Sequence, residues 1–236
     1  METAEENPSR SRRRLIVVGS VVVLVVAAAV GTWALFGSSG SSAAAGPEGV
    51  PLSSAPSLTS ASTTMTGQPV DGIRCVTESE ESVKFHTHTY VSVFVNGHER
   101  KLPAGIGITQ PRLVEKFPTG LFYDVGVRNC LYWIHTHTAD DIVHVEAPAK
   151  GVFTLGQLFA IWDQPLSSSQ VGPVRGQVIV FVNGQRVRGD IGSTPLLDKA
   201  TIQIDVGQPE VAFQPKSFKV TGQCGQGTTS CTAPAT

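Results

Sequence analysis

The chain reads as a mainly β protein, an antiparallel sandwich or rolled sheet with one short helix, preceded by a single transmembrane helix. Three observations predict this. Runs rich in β-branched and aromatic residues stop at Asn-Gly, at Asn96-Gly97 and again at Asn183-Gly184. A single segment, opening at Thr154, carries a helix start. An uninterrupted apolar stretch, Leu15 to Phe36, comes before them all.

That stretch holds 22 residues without a charge, long enough to cross a bilayer as a helix at about 1.5 Å per residue. Arg10, Arg12, Arg13 and Arg14 stand just before it. The positive-inside rule then keeps residues 1–14 cytoplasmic, makes 15–36 the anchor and exports the remainder. The expected protein is single-pass in the cell membrane, its C-terminal domain extracytoplasmic and its N-terminal helix the membrane contact. A cleaved signal peptide ending near Ala43-Ala44-Ala45 is the rival, though its apolar region would span only about 7–15 residues.

Residues 37–70 turn to Ser, Ala, Gly, Thr and Pro. So little apolar surface cannot offset the entropy of ordering, which predicts a disordered linker. Residues 71–222 suffice for one extracytoplasmic β-domain, and 223–236 read as a flexible tail. From residue 71 onward, 14 Lys and Arg face 15 Asp and Glu without blocks. No basic stripe exists for nucleic acid. The exported cysteines Cys75, Cys130, Cys224 and Cys231 suit disulfides. The expected pairs are Cys224 with Cys231 and Cys75 with Cys130; a thiolate Cys130 beside His135 is the alternative.

Within the domain, Val83 to Val95 reads as a strand entering a type I′ turn at Asn96-Gly97, where both central residues need positive φ. Val91-Ser-Val-Phe-Val-Asn-Gly97 recurs as Val178-Ile-Val-Phe-Val-Asn-Gly184, so two hairpins share one plan. Between them a further hairpin is expected: Leu131 to Thr138, a turn at Ala139-Asp140-Asp141, and Ile142 to Glu146. Thr154 with Gln157 forms a capping box, predicting a helix to about Asp163 with Leu155, Leu158, Phe159 and Trp162 facing the core. Ala200 to Val206 alternates apolar and polar and reads as another strand.

All six histidines lie between His86 and His144, four of them in two His-Thr-His-Thr cassettes, His86 to Thr89 and His135 to Thr138. Residues two apart on a strand share a face, so each His-x-His presents two imidazoles to one place. The sequence therefore proposes metal ligands His86, His88, His135 and His137, with His144 as alternate or fifth and Glu146 in the second shell behind an imidazole. Imidazole donors in an exported protein favour Zn or Cu(II). Met1 and Met65, the two methionines, lie outside the domain, which argues against a thioether copper carrier. His98 directly follows a turn and is left out. Asp140 and Asp141 are assigned to their turn.

Leu131-Tyr-Trp-Ile-His-Thr-His137 is similar to the Tyr-Trp-x-His-x-His element of multicopper oxidases, but no downstream His-Cys-x-x-x-His accompanies it and oxidase activity does not carry over. The order of phrases more closely resembles bacterial exported or membrane-anchored proteins of unassigned function. These pair His-x-His strands with Val-Phe-Val-Asn-Gly hairpins, then show Pro-Ala-Gly-Ile-Gly as at Pro103 to Gly107, Tyr-Trp-x-His-Thr-His, Ile-Val-His-Val-Glu and Phe-Thr-Leu-Gly-Gln. The resemblance implies a domain over most of residues 71–206 and no activity. Nucleophile elbows, phosphate loops, dinucleotide fingerprints and zinc-protease helices are missing from the sequence. Metal binding or sensing leads the functional readings. A metalloenzyme with an open His-ligated position and Glu146 as base is second. A metal-free adhesion or interaction domain, its histidines paired with carboxylates on an exposed sheet, is third.

Overall fold

The computed structural model describes residues 44–61 and 66–221. The membrane helix expected at 15–36, Cys224, Cys231 and the expected tail lie outside the described residues. Among the described residues no helix is long and apolar enough to cross a membrane.

The strands in chain order are β1 (Cys75–Val76), β2 (Phe85–Val95), β3 (His98–Arg100), β4 (Leu113–Phe117), β5 (Gly120–Asp124), β6 (Leu131–Tyr132), β7 (Ile134–His135) and β8 (Ile142–Ala147). After helix α1 (Leu155–Ile161) come β9 (Leu166–Ser167), β10 (Gln170–Val171), β11 (Val174–Arg175), β12 (Val178–Val182), β13 (Gln185–Arg186) and β14 (Thr201–Val206). The main sheet runs β13-β12-β14-β2-β8-β7, with β3 beside the end of β2. Pairs β1-β6 and β4-β5 and the triple β11-β10-β9 form smaller sheets. The fold is thus mainly β with several sheets and one short helix, consistent with a sandwich.

Both Asn-Gly turns form. Val95 pairs with His98 and Val182 with Gln185 across two-residue loops, with φ of 49° at Asn96, 79° at Gly97, 49° at Asn183 and 84° at Gly184. The two hairpins flank β14, antiparallel to β12 and parallel to β2. That parallel pair is the one departure from antiparallel order in the main sheet. Helix α1 begins as its capping box requires, Thr154 Oγ1 accepting from Gln157 N and Gln157 Oε1 from Thr154 N. Its Leu155, Leu158 and Phe159, with Trp162 at its end, are buried against Val91, Val93, Ile134, Val143, Val145, Val180, Ile202 and Ile204 of the sheet.

The opposite face of the sheet is covered too. β14 is buried on both sides, because the chain after it lies over its polar residues. Gln203 Nε2 donates to Val211 O at 3.0 Å, and Gln214 N donates to Gln203 Oε1 at 2.7 Å. An alternating strand here marks two covered faces rather than one wet one.

The linker expected over 37–70 is corrected where it is described. Residues 44–61 lie on the domain: Val50 packs with Tyr90, Ile142 and Val220, and Leu58 enters the core. Backbone bonds fix the course, Ser53 N to Ala139 O at 2.9 Å and Leu58 N to Lys101 O at 3.0 Å. Ser60 O accepts from the Trp162 indole at 2.9 Å. Few apolar residues suffice because the domain supplies the surface and the backbone acceptors. The disulfide Cys75–Cys130 forms, across 55 residues, as the sequence suggested. It excludes the thiolate reading of Cys130.

Candidate metal centre

His86, His88, His135 and His144 project from the sheet face opposite α1. On β2 the residues Thr87, Thr89, Val91 and Val93 alternate with His86 and His88, so core burial of the valines turns both imidazoles the other way. Register then aligns three strands. His88 pairs with His144 of β8, and His144 with His135 of β7. His86 pairs with Glu146 one step along the same face. The third hairpin is shorter than its sequence suggests: its first arm breaks into β6 and β7, and the chain leaves the sheet after His135. That departure swings His137 back over the face instead of along it.

The best-defined pair is His135 and His137. His135 Nδ1 lies 2.9 Å from Tyr132 O, and His137 Nδ1 lies 2.6 Å from Tyr123 O. A carbonyl only accepts, so both Nδ1 atoms carry the proton and both Nε2 atoms present lone pairs. These two Nε2 atoms face each other at 3.0 Å. Two lone pairs repel unless a proton or a cation joins them. Burial weakens the proton's claim. It pushes His135 down to about 4 from 6.5, and it holds His137 well below 6.5, the His135 charge adding to it. Around a tetrahedral zinc with Zn–N of about 2.0–2.1 Å, neighbouring nitrogens stand about 3.3 Å apart, close to the spacing observed. Phe122 stacks on His137 at 4.4 Å between centroids and holds that ring.

His144 completes the group from β8. Its Nε2 donates to Glu48 Oε2 at 3.2 Å, and its Nδ1 lies 3.7 Å from Glu146 Oε1. Burial opposes its charged form, but Glu48 and then Glu146 outweigh burial and raise it to about 10. Glu146 Oε1 is 3.0 Å from His86 Nε2 and 4.0 Å from His135 Nε2. Burial raises the Glu146 carboxyl, yet its bonds to His144 and His86 prevail and keep it well below 4.5. Glu146, expected behind an imidazole, has a carboxylate oxygen within 4.8 Å of the candidate ligand nitrogens of His135, His137 and His144.

One ligand atom each of His135, His137, His144 and Glu146 lies within 4.8 Å of the others, and the same holds for His86, His88 and His144. These buried His and Glu groups could hold a metal ion. The two cassettes do not converge on one point, as the sequence suggested; they form two groups that meet at His144. Nor is this an exposed sheet of histidines paired with carboxylates, since His88, His135, His137 and His144 are all buried. His98 is exposed and apart.

Three acidic residues were not read from sequence as part of this site. Glu48 is fully buried and comes from the stretch taken for linker. Glu81 touches Glu146; burial and then the Glu146 charge push its carboxyl up to about 8. Asp140 serves its turn, Oδ1 accepting from Ile142 N at 3.1 Å, but burial and then Glu48 also hold it well above 3.8. Asp141, at φ 67°, accepts from Leu102 N at 2.8 Å and remains structural. Of these, only Asp140 had a sequence cue, its adjacency to the second cassette.

No protein-family model matches the chain, and neither the curated proteins nor the solved structures give a match.

Proposed function

We propose that this chain is a membrane-anchored extracytoplasmic protein whose β-domain binds a divalent transition metal, zinc or copper(II), through His135, His137, His144 and Glu146. The observation that carries the reading is the His135–His137 pair. Two imidazoles pinned by backbone carbonyls turn unprotonated Nε2 atoms on each other at 3.0 Å inside the protein. A buried polar atom without its partner costs about 1–3 kcal/mol, and a cation relieves two at once. Backbone acceptors behind ligating histidines are the usual second shell of zinc sites. Four ligands from the protein make a closed site, suited to carrying, sensing or structure rather than turnover. The uncharged apolar stretch 15–36 behind its arginines and the disulfide Cys75–Cys130 support placing the domain on the exported side.

A metalloenzyme with an open position is the second reading, and Glu81 favours it. In the metal-free protein burial and then the Glu146 charge push the Glu81 carboxyl up to about 8, so a carboxyl able to pass on a proton borders the candidate ligand Glu146. Glu146, held ionised, is a ligand in this scheme rather than the base.

Elemental analysis of the purified full-length protein after reloading with zinc and copper tests both readings. Bound ion lost in His135→Ala/His137→Ala supports the centre. Added azide that perturbs the copper(II) spectrum would favour an open position. A wild type that stays metal-free returns the domain to the adhesion or interaction reading.

A further inference from the structure

We infer that the histidine face holds a second divalent transition-metal ion, between His86 and His88, with Glu146 bridging it to the ion at His135 and His137. This rests on the metal-binding reading above and extends it from one ion to a pair.

His86 and His88 stand two apart on the same face of β2, their ring centroids 4.4 Å apart. His88 Nε2 is buried and has no hydrogen-bond partner among the described residues. The ion at His135 and His137 leaves that nitrogen unsatisfied, because His88 belongs to the other group of candidate ligands. His86 Nε2 reaches Glu146 Oε1 at 3.0 Å and His144 Nδ1 at 3.5 Å, so both walls of the first site also border the second. A carboxylate has two oxygens and about four acceptor directions, enough to serve one ion on each side. Paired metal sites stand about 3.5–4 Å apart; here the two ligand groups share His144, and Glu146 of the first lies 3.0 Å from His86 of the second. Glu48 and Glu146 find their ion-pair partners in histidines, and the carboxyl groups of Asp140 and Glu81 lie beside those two glutamates. Five imidazoles and four carboxylates gather here, more donors than one tetrahedral ion uses.

The experiment is a metal count on full-length protein, stripped with chelator, reloaded with excess zinc and desalted. About two zinc per chain are expected, about one in His88→Ala, and two in the His98→Ala control. Loaded instead with copper(II), the wild type should give an electron paramagnetic resonance signal well under its total copper, because neighbouring spins couple. His88→Ala should restore nearly the full intensity. One zinc per chain, unchanged in His88→Ala, overturns the second ion and leaves the first standing. No zinc at all fails both. Two zinc retained in His88→Ala puts the second ion elsewhere and also overturns the inference. Should His88→Ala lose its cooperative thermal transition, His86→Gln replaces it, and a wild-type count of one is decisive by itself.

Discussion

Glu48 accepts a hydrogen bond from His144 Nε2 at 3.2 Å, across 96 residues of sequence. A carboxylate behind an imidazole fixes its tautomer and strengthens its other nitrogen as a donor to metal. Glu48→Gln should therefore weaken zinc binding about 10–100-fold while leaving the fold intact. Competition against a chromogenic chelator measures it. Unchanged affinity would reduce the contact to packing.

Metal should displace a proton from His144. In metal-free protein the two glutamates, against burial, raise this imidazole to about 10, so at pH 7 both nitrogens are protonated. Ligation through Nδ1 then releases about one proton per chain. Calorimetric titration in buffers of different ionisation enthalpy counts it, and a heat independent of buffer would sink the assignment.

The same group sets a pH dependence in the stripped protein. Its folded value lies above the ordinary 6.5, so its contribution to stability is fully present below about pH 6.5 and is lost as pH rises toward 10. The gap in unfolding free energy between wild type and His144→Gln, measured in chelator, should hold steady below 6.5 and narrow from 7 to 10. A gap that widens with pH would contradict the charged His144.

The disulfide closes a loop of 55 residues. Its removal in Cys75→Ser/Cys130→Ser should cost about 4 kcal/mol through the entropy of the unfolded chain. Denaturant unfolding of the oxidised protein and the double variant gives the difference; equal midpoints would show the bridge to be idle.

Gly107 sits at φ 75° beneath the site. A Cβ there would strike the Ile134 carbonyl and come within 2.9 Å of His135 Cβ. Gly107→Ala should lose about 1–3 kcal/mol from backbone strain and shift His135, lowering zinc affinity as well. Thermal melting and chelator competition should move together. A fall in stability with affinity untouched would mean that β7 yields without carrying its histidine.

Local chemistry made much of this legible. Asn-Gly turns, the capping box and the apolar face of α1 depend on neighbours in sequence, and so does the sharing of a face by His86 with His88. Long-range partners were not legible. Glu48 lies in a Gly- and Pro-containing stretch with no periodicity, and its role exists only once residues 44–50 lie across β8. The parallel pairing of β14 with β2 leaves no local trace either, and Gln203 looks like a solvent-facing residue until residues 211–214 cover it. Face-sharing along a strand accounts for His137 only in part: the strand ends before it, and Tyr123 and Phe122 hold the ring.

His88, His144 and His135 share one rung of the sheet across β2, β8 and β7. A slip of one residue in β8 would turn His144 and Glu146 into the core and valines into the site. A bound ion would thus act as a gauge of assembly. Cobalt colour or a copper spectrum would develop only in molecules whose three strands had met in step, so the metal could follow refolding and sort native chains from misregistered ones.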